Sequence, residues 1–258
     1  MGFVGGHTGH VAVRDLRDEG VTTNFVWING ETRTNVTILQ KGREHVPIQL
    51  NELGIPVSTS EIERFIRRYN RMLTRADWVV LAGSLPPGLD TTFYRELTSK
   101  AKESGVKVVI SAGGAALEEG LKACPFLVKP DIREHVMLEG TDIHTRDSII
   151  ETGRKIVECG VEMIIISHDV TGDIVITRDD VWEIGAPVTT TQFKNLVGAD
   201  DALLGGVLFK LTAGAGVEEA LRFGMAAGIL SAQSDEKVCK EMSRIEDGMA
   251  DITVTRVV

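Results

Sequence analysis

The sequence predicts an α/β fold built on a parallel sheet, and three observations carry that expectation. Short β-branched runs alternate with amphipathic segments of helical period along most of the chain, the pattern of βαβ units. Glycine-rich turns follow directly on two of the apolar runs, at residues 83–88 and 111–114, where an open α/β sheet places its ligands. A chain of 258 residues with 43% hydrophobic content is long enough to bury a substantial core, most simply as one large domain.

Composition excludes several classes of function. A net charge of −9 argues against a general nucleic-acid surface or a role on anionic membranes. An acidic chain still handles phosphates where a few arginines, lysines and backbone amides are concentrated. No run approaches the length of a transmembrane helix, and no signal peptide is present. Cys124, Cys159 and Cys239 are odd in number, widely spaced and without a metal-ligand pattern, so they read as reduced thiols of a cytoplasmic protein.

Taken in order, residues 1–9 show a strand-then-glycine pattern. His7 and His10 lie three apart with no third ligand nearby, which favours loop histidines over a metal site. Residues 10–20 read as a short helix stopped at glycine. Residues 21–40 alternate apolar and polar through Phe25, Trp27, Val36 and Ile38 about an Asn29-Gly30 pair, a strong hairpin signal. Arg33 follows that pair, and the pattern alone leaves open whether it faces a ligand or lies on an exposed edge strand. Ser58 precedes a helix over 59–73, with Ile62, Phe65, Ile66 and Tyr69 at helical spacing, acids early and arginines late.

Residues 78–82 form a buried strand that runs straight into Gly83-Ser84-Leu85-Pro86-Pro87-Gly88. Either Ser84 is a ligand-binding hydroxyl or the turn is simply rigid. A helix over 91–105, a strand over 106–110 and the turn Ser111-Ala112-Gly113-Gly114 come next. The strand 126–128 leads into Lys129-Pro130-Asp131, where Lys129 faces a ligand or lies on the surface. A helix over 147–160, the very apolar strand 161–167 and a hairpin over 174–184 follow. A helix over 217–231 and a weak final strand over 252–257 complete the chain, which shows no linker, low-complexity segment or repeat.

Residues 187–206 carry the strongest chemical signal. A β-type run leads into Gly198-Ala199-Asp200-Asp201, and a helix to about residue 211 begins there. A small-residue turn feeding a helix start aims unpaired N–H groups and the positive dipole end at one point, an anion site whose usual guest is a phosphate. Asp201 is placed to take a proton from a hydroxyl held beside that phosphate. The local pattern equally admits Asp200 or Asp201 as a helix cap, since neither a Walker lysine motif nor GxGxxG is present.

The segment VGADDALLGG, from Val197, resembles the VGAGD signature of the PfkB (ribokinase-like) carbohydrate kinases. Further segments agree in order. Gly30-Glu31-Thr32-Arg33-Thr34-Asn35 resembles the GETR-x-N lid strand of 1-phosphofructokinases and tagatose-6-phosphate kinases, Gly83 to Gly88 their GSLPPG turn, and Lys129 to Glu134 their KPNxxE motif. The likeness spans nearly the whole chain. It implies a ribokinase-like three-layer α/β/α sandwich, with residues 1–20 and 52–258 as the core and 21–51 as a partial β lid. It also implies phosphoryl transfer from ATP, with Mg²⁺, to a hydroxyl of fructose 1-phosphate or tagatose 6-phosphate. Asp201 would be the general base, with Gly198, Ala199 and Asp200 at the anion hole. Arg33, Ser84 and Gly83 would bind the sugar phosphate. Lys129, Asp131, Ser167, Asp169, Gly172 and Gly228 would lie by the nucleotide, and Glu134 would organise the metal. A homodimer through the lid follows from the same resemblance, with no nucleic-acid or membrane partner.

Departures from the pattern are specific. Residues 1–9 resemble a segment that relatives carry further along, so the family's first strand and GGxGxN segment are expected to be missing. Ser111-Ala112-Gly113-Gly114 stands where relatives carry an Asp and a Ser-Gly pair, Asp131 replaces an Asn, and Asp169 replaces a glycine beside the nucleotide. His168, as a catalytic base, lacks a positioned partner. Gly224 and Gly228 either approach the adenine or merely pack helices. Asp200 replaces a glycine of the anion hole. It adds a Cβ and a like charge that, at about 4 Å and an effective dielectric of about 20, costs about 4 kcal/mol before screening, worth about a hundredfold or more in rate. Two readings therefore stand from sequence: a sugar-phosphate kinase, or a non-catalytic homologue that binds a ligand or a partner without turnover.

Overall fold

The chain opens with β1 (Phe3–Val4), which runs directly into α1 (Gly6–Asp18). β2 (Val26–Trp27) pairs with β1 in parallel, Phe3 opposite Val26 and Val4 opposite Trp27. In this computed structural model, described for all residues except 43–46, 132–136, 139, 170, 190–191, 236–240 and 258, the chain divides into two compact units. One comprises Met1–Val36 and Gln49–Asp131, the other Thr37–Ile48 and Ile132–Val258.

The hairpin expected about Asn29-Gly30 does not form. The Ile28 amide donates to Val4 O at 2.9 Å and the Thr32 amide to Gly5 O at 3.0 Å, so the backbone groups that would close a hairpin are spent on the first segment of the chain. β3 (Asn35–Ile38) instead joins β4 (Ile48–Asn51) in a separate two-stranded sheet.

α2 (Thr59–Leu73) begins at a capping box in which the Ser58 amide donates to Glu61 Oε2 at 2.8 Å. It buries Phe65, Tyr69 and Leu73 at helical spacing. β5 (Trp78–Ala82), α3 (Phe93–Glu103), β6 (Lys107–Ala112), α4 (Gly114–Leu121) and β7 (Leu127–Pro130) then alternate as the sequence requires. β5, β6 and β7 are parallel neighbours, with Val80 opposite Val109 and Ser111 opposite Lys129. Val108, Val109, Ile110, Leu127 and Val128 are almost fully buried, as strands covered on both faces are. α4 is a helix the sequence does not announce; its glycine-alanine start carries no polar cap.

The second unit contains the short ladder of β8 (Met137–Leu138) and β9 (Thr141–Asp142), then α5 (Arg146–Glu158). β10 (Met163–Asp169), β11 (Gly172–Thr177), β12 (Val181–Gly185) and β13 (Thr253–Arg256) pair antiparallel in that order. β10, β11 and β12 are antiparallel because the connections within 163–185 are too short to be anything but hairpins. Ile164, Ile165, Ile166, Ile174, Val175 and Ile176 are sealed from solvent. α6 (Ala199–Thr212), α7 (Val217–Gln233) and α8 (Met242–Gly248) complete the unit. No strand forms in the described part, 188–189, of the β-type run expected over 188–191. Among the described residues no helix is long and apolar enough to cross a membrane.

Candidate active site

In the first unit, a cavity of about 460 Å³ is lined by residues of α2 and β5 together with Arg33, Ser84 and Tyr94. The sequence separates these side chains widely and the fold gathers them. Ser84 comes here on the turn that ends β5, where the Gly83 amide donates to Ser111 O at 3.0 Å; Gly83 itself does not line the cavity. The Ser84 hydroxyl has no hydrogen-bond partner among the described residues, and Arg33 is half-buried with no carboxylate partner among them. The Arg33 stem passes over Gly54, whose absent Cβ would stand 3.6 Å from Cδ.

Tyr94 is a site residue the sequence did not single out. Its hydroxyl lies 2.9 Å from Ala82 O and 2.8 Å from Gly83 O and donates to that pair of carbonyls, tying α3 to the turn that bears Ser84. Burial pushes its pKa up to about 12, with the Arg33 charge pulling the other way. A tyrosine at the second position of a helix close behind a glycine-proline turn was the available signal.

In the second unit, α6 starts at Gly198, which adopts φ 82° and offers no side chain to cap the helix. Only glycine enters that left-handed region without strain, and the space where its Cβ would stand is open. Asn195 Oδ1 accepts from the Val197 amide at 2.9 Å, shaping the approach, and Ala232 O accepts from the Lys194 and Asn195 amides at 2.9 and 3.1 Å, anchoring it to the end of α7. Asp200 and Asp201 both lie in the first turn of α6. The N-cap residue is Gly198 rather than either aspartate. Asp201 is exposed and Asp200 half-buried. Residue 200 has ordinary helical backbone, Cys124 being the one non-glycine residue described with positive φ. Of the two costs expected of a Cβ at 200, strained dihedrals do not arise.

The remaining predicted positions divide. Ser167 Oγ donates to Asp173 Oδ1 at 2.8 Å across the β10–β11 ladder, and Asp173 is buried at 6% exposure. Gly172, Asp173 and His168 line a second cavity, of about 400 Å³, with Glu183 and Thr255. Asp169 lies at the end of β10, opposite Gly172. Lys129 is buried at 2% exposure in β7, which overturns the surface alternative. Asp131 follows it, its amide donating to Ala112 O at 2.8 Å. Gly228 packs on α6: a Cβ there would meet Ala199 O and Leu203 Cβ, both at 3.1 Å. Helix packing is thus a sufficient reason for that glycine. Glu134 lies outside the described residues.

The alternating strands and helices of the two units are those of a ribokinase-like α/β fold. The profile of the pfkB family of carbohydrate kinases matches residues 1–238, and the chain belongs to that family. It is 32% identical over 257 residues to the 1-phosphofructokinase of Bacillus subtilis, a match covering 100% of this chain and 82% of the relative. The 1-phosphofructokinase of Borreliella burgdorferi is 31% identical over 232 residues, covering 90% and 74% of the two chains. The crystal structure of a possible 1-phosphofructokinase from Thermotoga maritima superposes with a TM-score of 0.91 at 33% identity, covering 99% and 81%. Phosphofructokinase-2 of Escherichia coli in complex with substrates and products gives 0.85 at 25% identity, covering 96% and 80%.

The start of α6 has room for a nucleotide phosphate: its N-cap residue Gly198 supplies no side-chain cap, and the space where a Cβ of that residue would stand is open. For Mg²⁺ the described residues offer no cluster of three acidic, histidine or cysteine side chains.

Proposed function

We propose that this chain transfers the terminal phosphoryl group of ATP to a hydroxyl of a phosphorylated ketohexose, with fructose 1-phosphate the foremost acceptor and tagatose 6-phosphate the second. The names of its relatives support the acceptor class. The observation that carries the reading is Arg33: a half-buried guanidinium lining a cavity, with no carboxylate partner among the described residues, is suited to receive an anion. A phosphate already on the sugar suits its planar fork.

ATP supplies the transferable group. The first-turn amides of α6 hold its terminal phosphate, and Lys129, Asp131, Ser167, Asp169, Gly172 and Gly228 belong to its surroundings. Glu134 orders the hydrated Mg²⁺. Arg33 grips the acceptor's phosphate, Ser84 and the Gly83 turn bind its hydroxyls, and Asp201 takes the proton of the attacking hydroxyl. Such chemistry rests on positioning and on fixed dipoles facing developing charge. The reaction runs in the cytoplasm. The segment 21–51 acts as a lid through which two copies associate, its exposed Val36, Ile38, Ile48 and Leu50 supplying the apolar contact.

A coupled ADP-release assay with fructose 1-phosphate and tagatose 6-phosphate tests the reading, with Asp201→Asn as the blank. Turnover well above the blank is expected with fructose 1-phosphate. Turnover equal to the blank with both sugars overturns the kinase reading in favour of a homologue without turnover.

A further inference from the structure

α1 is a helix whose N-terminus is capped from a distance. Its N-cap residue, Gly5, has no side chain to offer. The Glu31 carboxylate takes that place: Oε1 accepts from the His7 amide and Oε2 from the Thr8 amide, each at 3.0 Å. A carboxylate at such a site is held by two charge-assisted hydrogen bonds and by the helix dipole. The amides of His7 and Thr8 accordingly hold the Glu31 carboxyl below its ordinary range.

The next residue repeats the clamp. The Thr32 amide donates to Gly5 O at 3.0 Å, and Thr32 Oγ1 accepts from the Gly5 amide at 3.0 Å. Beyond Arg33, the Thr34 amide donates to Glu52 Oε2 at 2.8 Å. The Arg33 guanidinium thus makes no hydrogen bond to a described residue, while the backbone on both sides is tied down. Gly5 and Gly6 are shaped for this arrangement. A Cβ on Gly6 would fall 2.1 Å from the Glu31 carboxyl carbon, and one on Gly5 would fall 2.3 Å from Gly30 O.

We infer that Glu31 is a positioning residue for sugar-phosphate recognition: by occupying the anion-binding mouth of α1 it fixes the backbone from which Arg33 reaches the cavity. The inference rests on the reading of Arg33 as the phosphate grip.

The test is calorimetric titration of the full chain with fructose 1-phosphate, which needs no turnover, on wild type, Arg33→Ala, Glu31→Ala, Glu31→Gln, Gly6→Ala and Glu31→Ala/Arg33→Ala. Glu31→Ala is expected to weaken binding about tenfold, since small misplacements of a binding group cost that much or more. Glu31→Gln, which keeps one acceptor oxygen, recovers part of the loss, and Gly6→Ala, which expels the carboxyl, reproduces it. Because Glu31 acts through Arg33, the double variant binds no more weakly than Arg33→Ala alone, a non-additivity that general destabilisation does not produce. Wild-type affinity in Glu31→Ala, or full additivity in the double variant, overturns the inference while leaving Arg33 in place. Wild-type affinity in Arg33→Ala instead overturns the phosphate grip on which it rests.

Discussion

Gly224 lies so close beneath Val207 that a methyl group placed on it would fall 2.4 Å from Val207 Cγ2, and 2.7 Å from Leu203 O. The first contact is a stiff β-branched side chain and the second is backbone, so neither yields cheaply. Gly206 makes the reciprocal approach, its Cβ position lying 2.9 Å from Gly224 Cα. α6 is therefore seated on α7 through glycines, and the mouth of α6 is placed by that contact.

Gly224→Ala should destabilise the chain by about 1–3 kcal/mol, the usual cost of overpacking a tight interior, and should lower turnover because α6 must move away. Urea denaturation gives the first quantity and the ADP-release assay the second. An unchanged denaturation midpoint would show that the helices have room the distances deny them.

Asp200→Asn should raise turnover, and should do so nearly as well as Asp200→Gly. The structure gives residue 200 ordinary helical backbone, so restoring glycine relieves no strain. Asp200 is half-buried, which discounts the unscreened repulsion of about 4 kcal/mol to something nearer about 1–2 kcal/mol, or about tenfold in rate. If glycine helps and asparagine does not, close backbone approach is the obstacle after all.

Tyr94→Phe should raise KM for the sugar phosphate a few-fold while leaving KM for ATP unchanged. The hydroxyl that burial keeps protonated to about pH 12 is the donor that ties Ala82 O and Gly83 O to α3. Removing it costs about 1 kcal/mol of hydrogen bonding and frees the turn that carries Ser84. Steady-state kinetics in both substrates decide; equal changes in both KM values would point to a general loosening.

Much of this fold was legible because its elements obey simple periodicities. The helix over 59–73 and the strand over 78–82 appear with the expected bounds, since capping box, helical spacing and β-branched run all agree. Long-range pairing was not legible. Asn29-Gly30 is a good local hairpin signal, yet Val4 and Gly5 win the hydrogen bonds of the chain around it, and nothing local announces a competitor from the first strand. For the same reason Glu31 stood in the sequence only as a letter in a motif, because its partners, the amides of His7 and Thr8, are backbone groups that no sequence pattern displays. Arg33 and Ser84 were legible as residue types, but that one cavity holds both is a property of the fold.

Acid should erase the advantage of wild type over Glu31→Gln. The His7 and Thr8 amides lower the Glu31 pKa in the folded chain. Its stabilisation is therefore fully present above the ordinary glutamate range, about 4.3, and is lost as pH falls through the lowered folded value. Urea midpoints of the two proteins should differ near about pH 6 and converge towards about pH 3. A difference that stays constant across that span would mean the carboxylate charge is not what α1 recognises.

The lid should fail as a dimer contact when its apolar face is charged. Val36 and Ile38 alternate along β3, and Ile48 and Leu50 along β4, so each pair shares a face of its strand. All four are exposed, between 47% and 58%, an unusual amount of apolar surface to leave in water on two short strands. Ile48→Lys/Leu50→Lys should convert a dimer to a monomer in light scattering at micromolar concentration, with the thermal transition lowered only as far as the lost association requires. A wild-type chain that stays monomeric over the same concentrations would show that the exposed strands have another purpose, and association through residues 21–51 would fall with it.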